Sequence, residues 1–456
     1  MMDEQLRQQY KSLLQREVVL ATGCTEPGAV ALCVAKARCI LDAAAQSTPG
    51  GSPAEPERIE LHLSKNVFKN AMGVGIPGTG MIGLPIAVAI AVTAGDPKRG
   101  LEILTVAPEQ VEAAKRWLAN HADSIHIDVT SEGDKLYIEC HCHRGTDEAV
   151  AIISHKHTNF VHLSLNGKLK NEELGMRNEE LGNNSQIKSA GHRPTLNSQS
   201  PTPLSARLVY EYATTAPIEE LEFILETVKY NDAAATEGLK GYGLQTGKIL
   251  MENAQGDIVH TVVARTVAAS DARMDGCTLP VYSNSGSGNQ GIACTLPVYN
   301  YGKAKGSTDE QITRALVLNH LMSIYIKQGI GRLSALCGIV NASIGVACGI
   351  VYLHESEMGT GKGFEHMCFA IKNMINTLAG MVCDGAKPSC ALKMSTGIYS
   401  AFTCAELAYH GRVVDATDGL SETDVDCSIR NLGRLGFQGM NDADDTILDI
   451  MTHKGL

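Results

Sequence analysis

The spacing of apolar residues along this 456-residue chain predicts helices at its start and in its second half, with strands between them. Leu6, Tyr10, Leu13, Leu14 and Val18 follow one another at intervals of four, three, one and four residues, which is typical of one face of an amphipathic helix. Both charge signs are mixed among them, without the basic start and apolar run of a signal peptide. We therefore expect a packed N-terminal helix and a cytoplasmic protein.

A second helix is predicted to begin at Thr25, because threonine can cap a helix N-terminus and Pro27 fits the first turn. Cys24 then lies just before a helix start. The segment IELHLS alternates between apolar and polar residues as a strand does. The following segment, KNVFKNAMGVGIPGTGMIG, contains too much glycine to predict regular structure, and an apolar helix follows it.

Between Leu101 and Leu165 the alternation predicts a small α+β lobe. Strands are predicted in LEILTVA, SIHIDVTS, KLYIECHCHRG and EAVAIISHKHTNFVHLSLNG, with a helix around Trp117 between the first two. After Ala206 the pattern is helical almost to the end. One helix start is marked by Ser307 as the capping residue, with Glu310 three residues later.

These patterns predict an α+β protein with a mostly helical C-terminal domain and a smaller mixed α/β N-terminal lobe. Residues 1–165 form the lobe, and residues 206–456 form the helical domain. Residues 166–205 repeat NEELG and are polar and rich in proline and serine, which predicts a disordered insertion.

The composition narrows the classes of partner. The formal net charge is -11 and no long cluster of lysine and arginine is present, so we expect no nucleic-acid partner. The apolar segments IGLPIAVAIAVTAG and ALCGIVNASIGVACGIVYL are too short or too interrupted by small and polar residues to predict a membrane span. A small-molecule substrate is expected instead, and a homo-oligomer stays open.

Fourteen cysteines without a secretory signal argue against a disulfide framework, and burial is the ordinary state of such cysteines. The segment GMVCDGAKPSCALK differs, because a turn lies between Cys383 and Cys390 and lets both thiols converge. Cys337, on a helix of small residues, is a third candidate. Three soft ligands suit iron-sulfur or zinc, although this spacing matches no ferredoxin or zinc finger.

Cys24 is a candidate base or nucleophile, because a helix N-terminus stabilises a thiolate. The alternative is a buried turn cysteine. Glu26 beside it is a second candidate base, or simply an acidic residue in the first turn of a helix.

Two further groups of residues bear on binding. The glycine-rich loops GVGIPGTG and SNSGSGNQG can present backbone N–H groups to a small carboxylate, or can be plain turns. They do not fit the fingerprints for ATP or NAD. His157 is predicted to contact substrate. A zinc site in the strands is a weaker hypothesis, because it would require pairing between the segments that carry Cys140, Cys142, His143, His155, His157 and His162.

Four segments together resemble the L-cysteine desulfidase family, itself related to the iron-sulfur L-serine dehydratases. They are ATGCTEPGAVAL, SGSGNQGI, LCGIVNASIGVACG and GMVCDGAKPSCALK. The resemblance extends from about Leu20 to Ala405, interrupted by the polar insertion. The last of the four segments is the most specific.

The resemblance implies that Cys337, Cys383 and Cys390 bind a 4Fe-4S cluster with one open iron, which serves as a Lewis acid. Cys348 is a rival ligand. It also implies that Cys24 accepts the α-proton. For the carboxylate of the substrate, the predicted contacts are Lys65, Asn66, Lys69 and Asn289.

The implied reaction converts L-cysteine and water to pyruvate, ammonia and hydrogen sulfide by β-elimination. L-serine dehydratase is the nearest alternative. The serine enzymes typically carry serine, histidine and threonine where this chain has Cys24, Thr25 and Glu26, which favours cysteine. A non-catalytic iron-sulfur or zinc sensor is the alternative from another class.

Overall fold

A computed structural model describes most of the chain, in two compact units. The described residues are 2–46, 55–130, 133–170, 202–331 and 333–453. Those within 22–195 and 451–456 form one unit, called the sheet unit here, and those within 1–21 and 196–450 form the helical unit.

Helices account for most of the described residues. The α-helices are α1 Glu4–Glu17, α2 Thr25–Gln46, α3 Lys65–Ala71, α4 Leu84–Thr93, α5 Pro108–His121, α6 Ala206–Thr215, α7 Glu226–Gly238, α8 Thr246–Glu252, α9 Ile258–Met274, α10 Gly288–Lys305, α11 Asp309–Ile330, α12 Gly338–Met358, α13 Gly363–Leu378, α14 Cys390–Tyr409, α15 Val425–Arg434 and α16 Asn441–Thr452. Short 3-10 helices cover Pro97–Glu102, Ala122–Ser124, Ile218–Glu220 and Glu222–Leu225, and a π-helical turn covers Leu435–Gly439.

The strands form a six-stranded mixed sheet and one two-stranded ribbon. They are β1 Leu20–Ala21, β2 Arg58–Ser64, β3 Ile125–Thr130, β4 Tyr137–Arg144, β5 Asp147–Ser154, β6 Phe160–Leu165, β7 Lys168–Leu169 and β8 Val281–Tyr282. The sheet has the order β3-β2-β4-β5-β6-β7, and β2 and β3 pair in parallel while the other neighbours are antiparallel.

The sheet unit buries one face of its sheet against α2. Leu61, Cys140 and Ala151 lie on that face and are fully buried, since successive side chains of a strand point to opposite faces. The other face carries polar residues such as Glu60 and His141, which are only half-buried. The strict alternation explains why these strands could be predicted from the sequence.

The N-terminal residues correct the predicted domain boundary, because residues 1–21 belong to the helical unit and not to the lobe of residues 1–165. Tyr10, Leu13 and Leu14 of α1 are buried in the core that the later helices share. The ribbon formed by β1 and β8 ties the same region to that unit. The predicted helix is confirmed, but its partners lie far along the chain: Tyr10 Oη donates to Pro203 O, 193 residues away, at 2.8 Å.

The most apolar long helix is a core element. Among the described residues, α12 alone is long and apolar enough to cross a membrane. Its most apolar window is nevertheless 78% buried within the protein. The prediction of a buried helix is confirmed. With the mixed sheet, these helices confirm the predicted α+β class.

Three local predictions are wrong. Lys65–Ala71 is a helix, because the glycines begin only at Gly73, beyond its end. The segment 101–107 is not a strand: Ile103 and Leu104 are buried in succession, next to a 3-10 turn in which Gly100 has a φ of 55°. The helix predicted to start at Ser307 is capped by Thr308, whose capping box uses Gln311.

The predicted insertion at 166–205 falls mainly on residues 171–201, which lie outside the described residues. Its first residues are structured, because Lys168–Leu169 forms β7 and pairs with β6. Its last residues, from Thr202 on, lead into α6, and the hydroxyl of Ser205 accepts a hydrogen bond from the backbone N–H of Leu208.

Candidate functional site

In the helical unit, the three predicted ligand cysteines occupy two adjoining backbone segments. Leu336 and Val382 form an isolated antiparallel bridge. The N–H of Cys337 donates to Met381 O at 3.0 Å, and the N–H of Cys383 donates to Ala335 O at 2.6 Å. Cys337 and Cys383 therefore follow their bridge residues on opposite strands of one short ladder.

Cys390 returns to this ladder through the turn that follows Cys383. Its N–H donates to Lys387 O at 2.9 Å, and its Sγ lies 3.7 Å from Gly385 O. The three thiols interact electrostatically. Burial, followed by repulsion from Cys383 and Cys390, raises the pKa of Cys337 to about 12. We call Cys337, Cys383 and Cys390 the thiol group.

Two lysines place positive charge beside the thiol group. Lys393 Nζ donates to Val382 O at 2.7 Å and pairs with the carboxylate of Asp384, which Lys387 Nζ also contacts at 2.6 Å. Although burial opposes it, the two lysines lower the pKa of Asp384 to about 2. Lys393 also favours the thiolate form of Cys337.

Helix starts add to this positive field. Cys337 is the capping residue of α12, and Cys390 is the first residue of α14. A helix N-terminus carries a partial positive charge, which stabilises thiolates and anionic clusters. The lysines and helix starts thus favour the thiolates and partly oppose the effect of burial, although the net pKa of Cys337 is raised.

The loop SNSGSGNQG reaches the thiol group through Gln290. A Cβ atom on Gly338 would lie 2.4 Å from Gln290 Nε2, so these two residues are in close contact beside Cys337. Asn341 Nδ2 donates to Gln290 Oε1 at 2.8 Å and fixes that side chain. Asn289, a predicted carboxylate contact, accepts a hydrogen bond from Arg273 Nη1 at 3.1 Å.

Cys348 does not belong to the thiol group. It lies eleven residues after Cys337 along the same helix, about 16 Å farther at 1.5 Å per residue, and is fully buried among apolar side chains. Burial and the nearby Cys368 raise the pKa of its thiol. The structure therefore provides no case for Cys348 as the rival ligand.

The spacing of the thiol group tests which metal fits. Among the described residues, the ligand atoms that lie within 4.8 Å of one another are those of His141, His143 and Glu148, and not the three thiols. Sulfur ligands of a tetrahedral zinc ion lie about 3.8 Å apart, given Zn–S bonds of about 2.3 Å. The thiol group therefore does not match the close ligand set of a single zinc ion.

In the sheet unit, Glu26 is the centre of a second polar group. Cys24 lies directly before α2, as predicted, and its Sγ donates to Glu26 Oε2 at 3.0 Å. The hydroxyl of Thr25 donates to the same oxygen at 2.9 Å. All three side chains are buried, with exposed fractions of 5 to 7%.

The other oxygen of this carboxylate faces Asn70 and His157. Asn70 Nδ2 donates to Glu26 Oε1 at 3.1 Å, and His157 Nε2 lies 4.0 Å from it. Burial alone would raise the pKa of Glu26, but His157 and the hydroxyl and thiol donors hold it below its usual value. The buried carboxylate is therefore ionised and can accept a proton. We call Cys24, Thr25, Glu26, Asn70 and His157 the carboxylate group.

The predicted carboxylate-binding residues of the N-terminal half lie together on α3, the helix that also carries Asn70. Lys65 is half-buried, whereas Asn66 is 6% and Lys69 is 1% exposed. A lysine that is almost fully buried is uncommon in proteins. This helix therefore supplies cationic and amide side chains in the same unit as Glu26.

The cysteines and histidines of the strand segments do not come together in one site. Cys140 and Cys142 are buried on the apolar face of the sheet, with their Sγ atoms 3.7 Å apart. His155 pairs with Asp134 outside the strands, and His162 Nε2 lies 3.0 Å from Ser164 Oγ. The zinc site proposed for this whole set does not form.

The glycine-rich turn GVGIPGTG closes on itself. The N–H of Ile76 donates to Met81 O at 2.9 Å, and that of Thr79 donates to Ile76 O at 3.1 Å. These N–H groups are therefore used within the turn.

Sequence reasoning did not find Asn70, Gln290 or Lys393. Two of them had a local signal: Gln290 follows Asn289 in the glycine-rich loop, and Lys393 follows Cys390 by three residues, one helical turn. Asn70 gave no signal, because the surrounding segment was not predicted to be a helix.

Comparison with known families matches residues 98–449 to a family described as serine dehydratase alpha chain. This match covers more than half of the chain and includes all three cysteines of the thiol group.

Relatives of similar length match along the whole chain. A "UPF0597 protein" of Bacteroides fragilis is 46% identical, with 100% of both chains covered. Proteins with the same description are 47% identical in Phocaeicola vulgatus and 40% identical in Oleidesulfovibrio alaskensis, each with 98% of both chains covered.

Proposed function

The chain belongs to the serine dehydratase alpha chain family, and on that premise we propose that it converts L-cysteine and water to pyruvate, ammonia and hydrogen sulfide. The family supports a lyase-type reaction. The observation that carries the proposal is the grouping of Cys337, Cys383 and Cys390 beside Lys387 and Lys393, which suits a 4Fe-4S cluster.

The thiol group would hold the cluster through three thiolates. When bound, a cluster with three protein ligands supplies one iron with an open position, which acts as a Lewis acid toward the substrate. The protein's own contribution is electrostatic: Lys393 and the start of α12 offset the charge of the thiolates. Gln290 keeps the start of α12 in place through its contacts with Gly338 and Asn341.

Cys24 and Glu26 would perform the proton transfers. The thiol proton of Cys24 already points to the ionised carboxylate of Glu26. Its transfer to Glu26 leaves a thiolate, which removes the α-proton of the substrate. Thr25, Asn70 and His157 keep the carboxylate ionised and oriented until it receives that proton.

The elimination then balances without an oxidant or a reductant. The electrons of the α C–H bond form the C=C bond of aminoacrylate, and the C–S bond breaks with its electrons on sulfur. Glu26 can return its proton to the departing sulfide. Aminoacrylate tautomerises to an imine, and water hydrolyses the imine to pyruvate and ammonia.

Five residues are proposed to bind the substrate. Cationic and amide groups suit the α-carboxylate, since they donate hydrogen bonds to an anion. These residues are Lys65, Asn66, Lys69, His157 and Asn289. Four of them lie in the sheet unit with Glu26, and Asn289 lies in the helical unit at the start of α10.

L-serine is the second candidate substrate, because the matching family is described as serine dehydratase. Elimination of hydroxide instead of sulfide needs the same removal of the α-proton. The residues Cys24, Thr25 and Glu26 stand where the serine enzymes typically have serine, histidine and threonine, and this difference supports cysteine.

Anaerobically purified protein distinguishes the two substrates. We expect release of sulfide and pyruvate in equal amounts from L-cysteine, with a kcat/KM well above that for L-serine. Efficient formation of pyruvate from L-serine with negligible sulfide from L-cysteine would refute the choice of substrate but not the lyase reaction.

A non-catalytic sensor makes a different prediction. A cluster ligated only by protein should keep its absorption and electron paramagnetic resonance spectra when substrate is added. We expect L-cysteine to change those spectra, because an open iron accepts a new ligand. The proposal also includes a cytoplasmic location, in keeping with fourteen free cysteines.

A further inference from the structure

The polar face of the sheet in the sheet unit concentrates imidazole and carboxylate groups. The register pairs His143 with Glu148, and His141 with Glu60, across neighbouring strands. Residues two apart on a strand share a face, so His141 and His143 point the same way. The titratable residues in the centre of this face are Glu60, His62, Glu139, His141, His143 and Glu148.

Three of these side chains converge. One ligand atom from each of His141, His143 and Glu148 lies within 4.8 Å of the other two. His141 Nδ1 is 2.9 Å from Glu148 Oε1, and His143 Nε2 is 3.9 Å from the same oxygen. All three residues are half-buried, which limits the competition from bulk water.

We propose that His141, His143 and Glu148 bind a divalent transition-metal ion of the zinc class. Two imidazole nitrogens and one carboxylate oxygen are a common ligand set for zinc, and they leave a fourth position for water. The ligands come from two paired strands, β4 and β5, whose register fixes their spacing before any metal binds. The site is separate in sequence from the thiol group and uses no cysteine.

Neighbouring carboxylates lie beside the histidine ligands, as they commonly do in zinc sites. Glu139 Oε1 lies 3.0 Å from His141 Nε2, so it can accept that N–H while Nδ1 binds metal. A carboxylate in this position orients the ring and makes it a better ligand. Glu60 Oε2 lies 3.5 Å from His143 Nε2 and adds negative charge beside the site.

One buried ligand atom favours metal binding over a simple hydrogen-bond network. His143 Nε2 is buried and makes no well-formed hydrogen bond among the described residues, with Glu60 Oε2 at 3.5 Å and Glu148 Oε1 at 3.9 Å from it. A buried nitrogen with carboxylate contacts this long is poorly satisfied, and a bound cation would satisfy it. The competing arrangement is a doubly protonated His141 bridging Glu139 and Glu148 with no metal.

Cobalt(II) tests the site on the full-length protein after chelator treatment has removed metal and cluster. Cobalt bound by nitrogen and oxygen ligands absorbs weakly in the visible range, whereas cobalt bound by thiolates adds strong charge-transfer bands. We expect one cobalt per chain without those bands in the Cys383→Ala protein, in which the thiol group is incomplete.

Substitutions then assign the ligands. We expect His143→Gln and Glu148→Gln each to weaken cobalt binding by more than about 100-fold, and Glu139→Ala to weaken it by about 10- to 100-fold. His155→Gln is the matched control, since His155 is an exposed histidine of the same unit, and its affinity should match the wild type.

Circular dichroism spectra of all variants must match the wild type before their affinities are compared. If one of the two ligand variants fails to fold, the other still tests the site. Equal affinity and stoichiometry in the wild type and both ligand variants would overturn the proposal. So would cobalt binding that always shows thiolate bands. Neither result bears on elimination from L-cysteine, which is measured separately.

Discussion

The thiol group and the carboxylate group both contain cysteine, but the electrostatic surroundings of the cysteines differ. In the helical unit, three cysteines share one small region, and helix starts and lysines offset the charge that their thiolates would carry. In the sheet unit, Cys24 is the single cysteine of the carboxylate group, and its thiol donates to a buried carboxylate that is already charged. One environment favours a set of metal ligands, and the other favours proton transfer.

This difference shows that the chemical role of a cysteine depends on its surroundings and not on its residue type alone. Cys348 is an example of a cysteine in surroundings that suit neither role. It lies on the same helix as Cys337 yet is enclosed by apolar side chains. Burial and the nearby Cys368 raise the pKa of that thiol and disfavour its ionisation. Substitutions that exchange or remove the surroundings should therefore separate metal binding from proton transfer.

The largest effect is expected for Cys383→Ala. Loss of one of three cluster ligands should remove most of the iron and acid-labile sulfide and lower kcat/KM for L-cysteine by more than about 10³-fold, since a Lewis acid contributes several kcal/mol. Iron analysis after anaerobic reconstitution measures the first effect. Cys427→Ala, a half-buried cysteine outside the thiol group, is the matched control and should keep both iron and activity.

For Cys24→Ala, we expect activity to fall without a loss of iron. Removal of the proton acceptor should lower kcat by about 10²- to 10⁴-fold while iron content stays at the wild-type level, because the ligands are untouched. Loss of solvent deuterium exchange into the α-position of the substrate would identify the step. A variant that loses its iron along with its activity would contradict the assignment of Cys24 to proton transfer.

Much of this comparison could be predicted from the sequence, because the features are local. The start of α2 after Cys24 followed from threonine and proline preferences, and the alternating strands followed from burial of one sheet face. The turn between Cys383 and Cys390 could also be seen. The roles of Cys337, Cys383 and Cys390 came from a family resemblance, since spacing alone did not separate these three from the other eleven cysteines.

The rest depends on contacts between distant segments. The interaction of Asn70 with Glu26 joins residues 44 positions apart, and the pairing of Gln290 with Asn341 joins residues 51 apart. Helix α1 packs with the later helices because its apolar face fits their core, which no nearby residue indicates. Sequence periodicity identifies which face is buried, but not which element covers it.

A smaller effect is expected for Asn70→Ala. The side chain donates one of the hydrogen bonds that hold Glu26 Oε1, and a hydrogen bond to a charged group contributes about 1.5 kcal/mol. Its loss should lower kcat by about 10-fold and shift the acid limb of the pH–rate profile upward, because the carboxylate becomes easier to protonate. A lower kcat with an unchanged profile would indicate that Asn70 acts only on local packing.

Gly338→Ala should produce a similarly modest change on the metal side. The added methyl group would meet Gln290 Nε2 at 2.4 Å, and the flexible side chain must move away from Asn341. We expect about 10-fold slower turnover or faster loss of iron in air, with Asn341→Ala giving the same result by removing the hydrogen bond. Unchanged cluster lifetime in both variants would contradict a supporting role for Gln290.

The smallest effect concerns stability and contrasts the buried ionisable groups of the two units. His320 in the helical unit is fully buried and neutral: Asn284 Nδ2 lies 3.1 Å from Nδ1, Thr295 Oγ1 lies 3.2 Å from Nε2, and burial lowers the pKa to about 3. Because this pKa is depressed, its contribution is complete above the unfolded value of about 6.5 and is lost as pH falls toward 3. Glu26 also has a lowered pKa, but its contribution declines only as the pH falls below the ordinary glutamate value of 4.5.

Between pH 7.5 and 5.5, the contribution of His320 to stability changes with pH, whereas that of Glu26 does not. Over that range the free energy of unfolding should fall by about 1.4 kcal/mol through His320, while Glu26 contributes almost nothing. Urea titrations of wild type and His320→Gln across this range measure the difference, with His155→Gln as the exposed control. If the two proteins showed the same pH dependence, His320 would take up a proton as easily in the folded state as in the unfolded chain, and burial would not lower its pKa as its contacts indicate.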